Sequence, residues 1–162
     1  MKGYNEIKGN LIHETAIIGD NVSMGEGNII MPYSVIGQNG FVRNQKNECF
    51  IGSVVIGDNN RIGCHCSIMV NIGDTEIGDN NLIMNCVNIG HESIIGNDCE
   101  IGAGTIIPGN VSIGDECKIK IGCVIRNSVS IGDKSFIAMG SVVVNDLKGN
   151  DNYMGIPAKP RK

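Results

Sequence analysis

Ile77-Gly78-Asp79-Asn80-Asn81-Leu82, Ile83-Met84-Asn85-Cys86-Val87-Asn88 and Ile89-Gly90-His91-Glu92-Ser93-Ile94 are consecutive six-residue units that open on the same residue. Stepping on by six gives Ile95, Ile101, Ile107, Ile113, Ile119, Ile125, Ile131, Ile137 and Val143, all β-branched aliphatics. A helix turning every 3.6 residues cannot hold a step of six on one face. A long amphipathic strand would alternate with period two and show no preference for six. The residue four places after each aliphatic forms a second file: Val87, Ser93, Cys99, Thr105, Val111, Cys117, Cys123, Val129, Ser135 and Ser141. These residues are small enough to be buried. Glycine often follows the aliphatic, as at Gly78, Gly90, Gly96, Gly102, Gly114 and Gly132, and Asp or Asn often comes next. Gly, Asn and Asp tolerate sharp corners and positive φ.

The unit is therefore a short strand and a corner. Three units close a triangular coil of about eighteen residues, as in parallel β-helices built on hexapeptides. Stacked coils share backbone hydrogen bonds and bury their aliphatics against one another. Working outward, the same phase runs through Ile12, Ile18, Met24, Ile30, Ile36 and Val42. It breaks over Arg43–Cys49, resumes at Phe50, Ile56, Ile62 and Ile68, and slips again over Val70–Glu76. The expectation is about seven coils over 1–147, with loops near 43–49 and 70–76 that build a binding face, followed by a polar tail over 148–162.

Composition narrows the function. The 162 residues fit one domain, and a net charge of −4 without a basic stripe argues against nucleic acid. No run of eighteen apolar residues is present to span a membrane. Residues 1–10 lack the apolar core of a signal peptide, so the cytoplasm is the expected compartment. The 23 glycines and 4% aromatic content suit tight turns around a thin core. Seven cysteines are neither an even disulfide set nor paired at zinc-ribbon spacing. Cys66, Cys99, Cys117 and Cys123 fall in the small file and read as packed, reduced thiols. Cys49, Cys64 and Cys86 fall outside it.

Three stretches resemble the hexapeptide-repeat acyltransferases. Asn81–Gly96, centred on Gly90-His91-Glu92, is similar to the active-site coil of the UDP-N-acetylglucosamine O-acyltransferase family. It is similar as well to that of the acetyltransferases acting on sialic acid and UDP-amino sugars. Gly155-Ile156-Pro157-Ala158-Lys159 resembles the C-terminal signature of CoA-dependent acetyltransferases of this fold, and Asn10–Ala16 the usual first coil. The resemblance implies a left-handed β-helix, although parallel crossovers are ordinarily right-handed. It also implies a homotrimer with active sites between subunits.

His91 follows Ile89 by two places and points outward from a corner. A histidine suits removal of the proton that an amine or hydroxyl loses when it attacks a thioester near neutrality. Glu92 is a candidate to hold the imidazole tautomer. One coil on stands Gly109, where the family places an oxyanion contact. A third file, Ala103, Ile121 and Met139, is flanked by Gly102, Gly104, Gly122 and Gly140. A thin pantetheine arm fits such an edge, so Ile121, Gly122, Met139 and Gly140 are expected at acetyl-CoA. Lys159, with Arg161 and Lys162, is expected at its phosphates.

His13 reads as a residue of the first coil, and His65 as a possible acceptor contact. The leading expectation is acetyl transfer from acetyl-CoA to an amine or hydroxyl of a sugar or nucleotide sugar, without an acyl-enzyme. The alternatives are an acyl-carrier-protein-dependent O-acyltransferase of the lipid A type and a non-catalytic scaffold. In the lipid A type a second histidine stands nineteen residues after the first, where this chain has Asn110, and Arg43–Glu48 lacks its Gln-Asp-x-Lys loop. No metal is expected. A zinc site of the γ-carbonic anhydrase kind needs histidines five residues apart, and these three stand 52 and 26 apart.

Overall fold

The computed structural model describes residues 2–39 and 51–161, and over them the chain is a parallel β-helix of three sheets. One coil shows the plan. Leu82–Ile83 joins a ten-stranded sheet, Asn88–Ile89 a seven-stranded sheet and Ile94–Ile95 a six-stranded sheet. Most coils pair with the next at a step of 18 residues, as Leu82 does with Glu100 and Ile94 with Ser112. Every hexad-opening aliphatic from Ile77 to Val143 is buried, as are all ten members of the small file.

The polar members of that file are satisfied by the neighbouring coil. Ser93 Oγ donates to the Pro108 carbonyl, Cys99 Sγ to Gly114 and Cys123 Sγ to Ala138. In the early coils the same positions hold asparagines. Asn10, Asn28, Asn60 and Asn81 are fully buried and form a ladder. Each Oδ1 accepts the backbone N–H at the next rung, and each Nδ2 donates to a glycine carbonyl.

The corners differ from the sequence expectation. Positive φ falls three residues after each aliphatic, at Asn80, Cys86, Glu92, Asp98, Gly104, Asn110, Glu116, Gly122, Ser128, Lys134 and Gly140. The glycines directly after the aliphatic have another cause, which is the close approach of the next coil. A Cβ on Gly90 would meet the backbone of Pro108 and Gly109, and one on Gly96 the backbone of Gly114.

The coils also run further than the hexads predict. Leu147 and Tyr153 replace the aliphatic, both are buried, and Asn152–Met154 stacks on Phe136–Ile137. Lys159–Pro160 then folds back antiparallel on Tyr153–Met154.

Below Ile77 two insertions lengthen the step on all three sheets. Val35 pairs with Ser67 across 32 residues, and Ser67 with Asn88 across 21. Both insertions leave from the same corner, between the seven-stranded and six-stranded sheets. The first includes residues 40–50, so the loop expected over 43–49 lies outside the described residues. The second is 71–74, between strands Ser67–Val70 and Thr75–Ile77.

Candidate functional site

His91 and Glu92 occupy that same corner one coil above the 71–74 insertion. Glu92 turns the corner at φ 57°, as Asn110 and Ser128 do above it. The insertion fixes its side chain. Gly73 N–H donates to Glu92 Oε1 at 2.9 Å, and Glu92 N–H donates to Thr75 Oγ1 at 2.9 Å. Thr75 Oγ1 in turn donates to the Met69 carbonyl. The Gly73 N–H is the main reason the Glu92 carboxyl sits below its ordinary pKa. Partial burial opposes this, and the nearby His91 adds a smaller downward push.

Glu92 Oε2 stands 3.5 Å from His91 Nδ1. That is a close approach without hydrogen-bond alignment, since Nδ1 is buried and has no hydrogen-bond partner among the described residues. The Asn71 Oδ1, also buried, is likewise unpartnered. Segment 51–53 packs on the insertion: Gly52 N–H donates to the Asn71 carbonyl, and Ser53 N–H and Oγ both donate to Asp74.

Gly109 lies directly above His91, as the eighteen-residue step requires. A Cβ there would stand 2.7 Å from His91 Cε1 and 2.8 Å from Nε2. Gly109 has no positive φ, so its want of a side chain answers to the imidazole. Asn110 N–H donates to the His91 carbonyl and binds the two coils there.

The third file lies on the edge between the ten-stranded and seven-stranded sheets. Ile121 is 58% exposed and Met139 75%. Gly104, Gly122 and Gly140 all turn their corners at positive φ, and a Cβ on any of them would meet nothing within 4 Å. The tail passes over the top of this edge. Gly155 N–H donates to Ser141 Oγ, and Ala158 N–H donates to the Val142 carbonyl. Lys159 and Arg161 are exposed there. From Lys118 onward the sequence carries eight Lys and Arg against three Asp, so this end is basic in an acidic chain.

The seven-stranded sheet separates this edge from the His91 corner. One chain therefore does not bring Ile121, Gly122, Met139, Gly140 or Lys159 to His91.

The other histidines are elsewhere. His13 is held by Thr15 and by the edge of the Tyr4 ring in the first coil. His65 stacks on Tyr33, with ring centres 5.1 Å apart. Cys66, Cys99, Cys117 and Cys123 are buried, Cys64 is half-buried and Cys86 exposed. Among the described residues no three His, Cys, Asp or Glu side chains group to hold a metal, and no helix is long and apolar enough to cross a membrane.

The repeat signature of the bacterial transferase hexapeptide family matches residues 74–109 and 110–145. The chain carries that family's hexapeptide repeat over these two stretches. It is 43% identical over 98% of its length to a UDP-3-O-acylglucosamine N-acyltransferase of Caulobacter vibrioides, of which it spans 47%. The chain thus spans about half the length of this curated relative. Among solved structures it resembles LpxA, a UDP-N-acetylglucosamine acyltransferase from Bacteroides fragilis 9343. That match has a TM-score of 0.88 and 29% identity, over 94% of this chain and 60% of the other. The hexapeptide β-helix is left-handed, as in these acyltransferases. The acetyltransferase domain of PglB from Neisseria gonorrhoeae, solved with acetyl coenzyme A, is similar in fold alone. Its TM-score is 0.56 at 20% identity, over 95% of this chain and 58% of that one.

Proposed function

We propose that this chain transfers an acyl group from a thioester to an amine or hydroxyl of a nucleotide-linked sugar, with His91 as general base. The observation that carries the reading is the His91 corner. Its Nδ1 is buried beside an ionised Glu92, its ring lies under Gly109, and the 71–74 insertion pins Glu92 from one coil below. Burial of Nδ1 leaves Nε2 to take the acceptor's proton as the nucleophile attacks the thioester carbonyl. Glu92, pinned by Gly73, favours the imidazolium that forms. The Gly109 N–H donates to no acceptor among the described residues, and in this reading it stabilises the oxygen on which charge develops. The proton then passes to the departing thiolate, so no acyl-enzyme is needed.

Acetyl-CoA is the donor in the first reading. The Ala103–Ile121–Met139 edge takes the pantetheine arm, and Lys159 and Arg161 at its basic upper end take the phosphates. This edge and His91 flank one sheet of the same chain, so the reading requires a homotrimer that sets the edge of one subunit against His91 of the next. The outward residues between them include the exposed Ile106 and Val124, which a trimer would cover.

The second reading replaces acetyl-CoA with an acyl carrier protein. It is favoured by 33% identity, over 56% of this chain, to an acyl-[acyl-carrier-protein]–UDP-N-acetylglucosamine O-acyltransferase of Saccharophagus degradans. Assaying purified protein with acetyl-CoA and with acyl carrier proteins of increasing chain length, against a panel of UDP-linked amino sugars, tests both. Transfer to a sugar nucleotide is expected. No transfer from any thioester, with folding intact, would leave the chain as a scaffold.

A further inference from the structure

The outer face of the ten-stranded sheet carries a groove of about 340 Å³ beside the donor edge, at the level of the His91 coil and those below it. Met31, Leu82, Met84 and Ala103 give it an apolar lining, and Arg61 provides its one cation. Arg61 is exposed and is the only Lys or Arg between residues 47 and 117, a stretch rich in Asp and Glu. Yet none of the ion pairs among the described residues includes it.

Two residues past Met31 and Gly63, on the same corners, stand Tyr33 and His65. Their rings are stacked 13° from parallel, and both are exposed. Both corners turn at positive φ. The column continues upward with Cys86 and then Gly104, so the next coil places no further ring on top of the His65 imidazole.

We propose that this groove binds the nucleoside diphosphate of the acceptor, with the diphosphate on Arg61 and the base against the Tyr33–His65 pair. A guanidinium matches phosphate oxygens with paired donors and stays charged at any relevant pH. An aromatic base finds on His65 a flat partner of the kind that favours offset stacking. Placement agrees with the chemistry. Arg61 lies one coil below Leu82 and Met84, and Ala103 joins the groove to the donor edge. A sugar held at that edge would have its diphosphate one coil lower.

The inference rests on the sugar-nucleotide reading above, and the experiment separates the two. UDP and inorganic pyrophosphate are titrated calorimetrically into the wild type, Arg61→Met, Tyr33→Ala and His65→Ala. Acyl transfer to a UDP-linked amino sugar is measured in parallel. Arg61→Met is expected to weaken both ligands at least tenfold and to raise KM for the acceptor with kcat kept. The two ring variants are expected to weaken UDP several-fold and leave pyrophosphate unchanged. Arg61 is exposed, so its replacement does not threaten folding. Wild-type UDP affinity and acceptor KM in Arg61→Met would overturn the groove while active transfer upheld the function. Arg61-dependent UDP binding without any acyl transfer would uphold the groove and remove the function.

Discussion

The imidazole of His91 rests against the α-carbon of Gly109, one coil above it. The space that a Cβ would need is taken by Cε1 and Nε2 at 2.7 and 2.8 Å. Gly109→Ala should therefore move the ring, because the obstructing atoms are the far end of a side chain and the backbone at 109 is not in the left-handed region. The melting temperature should change little. Turnover should fall at least tenfold, since a misplaced base loses its line to the acceptor. An unchanged kcat in Gly109→Ala would show that the ring's position is not what matters.

Glu92 has its carboxyl held below the usual range, first by the Gly73 N–H. A depressed folded-state pKa adds stability above the unfolded value and loses it as pH falls through the folded one. Glu92→Gln should thus lower the melting temperature slightly at neutral pH. The difference should shrink as pH drops below the ordinary glutamate value of 4.5. A gap that persists or widens in acid would contradict the Gly73–Glu92 contact. Turnover should fall less than for loss of His91.

The asparagine ladder makes a prediction about stability alone. Asn60→Ala leaves the Asn81 N–H and the Gly78 carbonyl without partners in the interior. Each such loss costs roughly 1–3 kcal/mol. Chemical denaturation should show a drop on the order of 2–6 kcal/mol. Cys99→Ser, which keeps a donor toward Gly114, should cost far less.

The buried thiols make a chemical prediction. Burial pushes Cys66 up to about 11 and raises Cys123 as well, so neither is an available nucleophile. In native protein a thiol reagent should label Cys86 quickly and Cys64 slowly, and leave Cys66, Cys99, Cys117 and Cys123 intact. Mass spectrometry during turnover should find no acylated cysteine among these four. Acylation of any of them would contradict direct transfer.

The hexads made the core legible because every coil asks the same question of the same position, and an isoleucine answers it. The step of eighteen likewise placed Gly109 over His91 without coordinates. What failed to show was whatever broke the period. Gly73 and Thr75, which fix Glu92, belong to an insertion that shifts the phase, so no step of six points to them. The signal available was that the slip lies about one coil before His91. Leu147 and Tyr153 carry the core past Val143 off the hexad spacing, and the polar residues around them hide two buried side chains. The early asparagines did not look like core because they are polar. Only the ladder of rung-to-rung hydrogen bonds explains their complete burial. The glycines after the aliphatics invited a reading in terms of φ, when the spacing between coils is what demands them.

The central claim is that His91 removes the acceptor's proton during direct transfer from a thioester. It is tested most directly by single-turnover acyl transfer to a UDP-linked amino sugar, comparing wild type with His91→Ala and reading the melting temperature of both. The account predicts a rate lower by roughly a hundredfold or more, the usual scale for a general base, with the melting temperature kept. A His91→Ala protein that transfers the acyl group at the wild-type rate would contradict it.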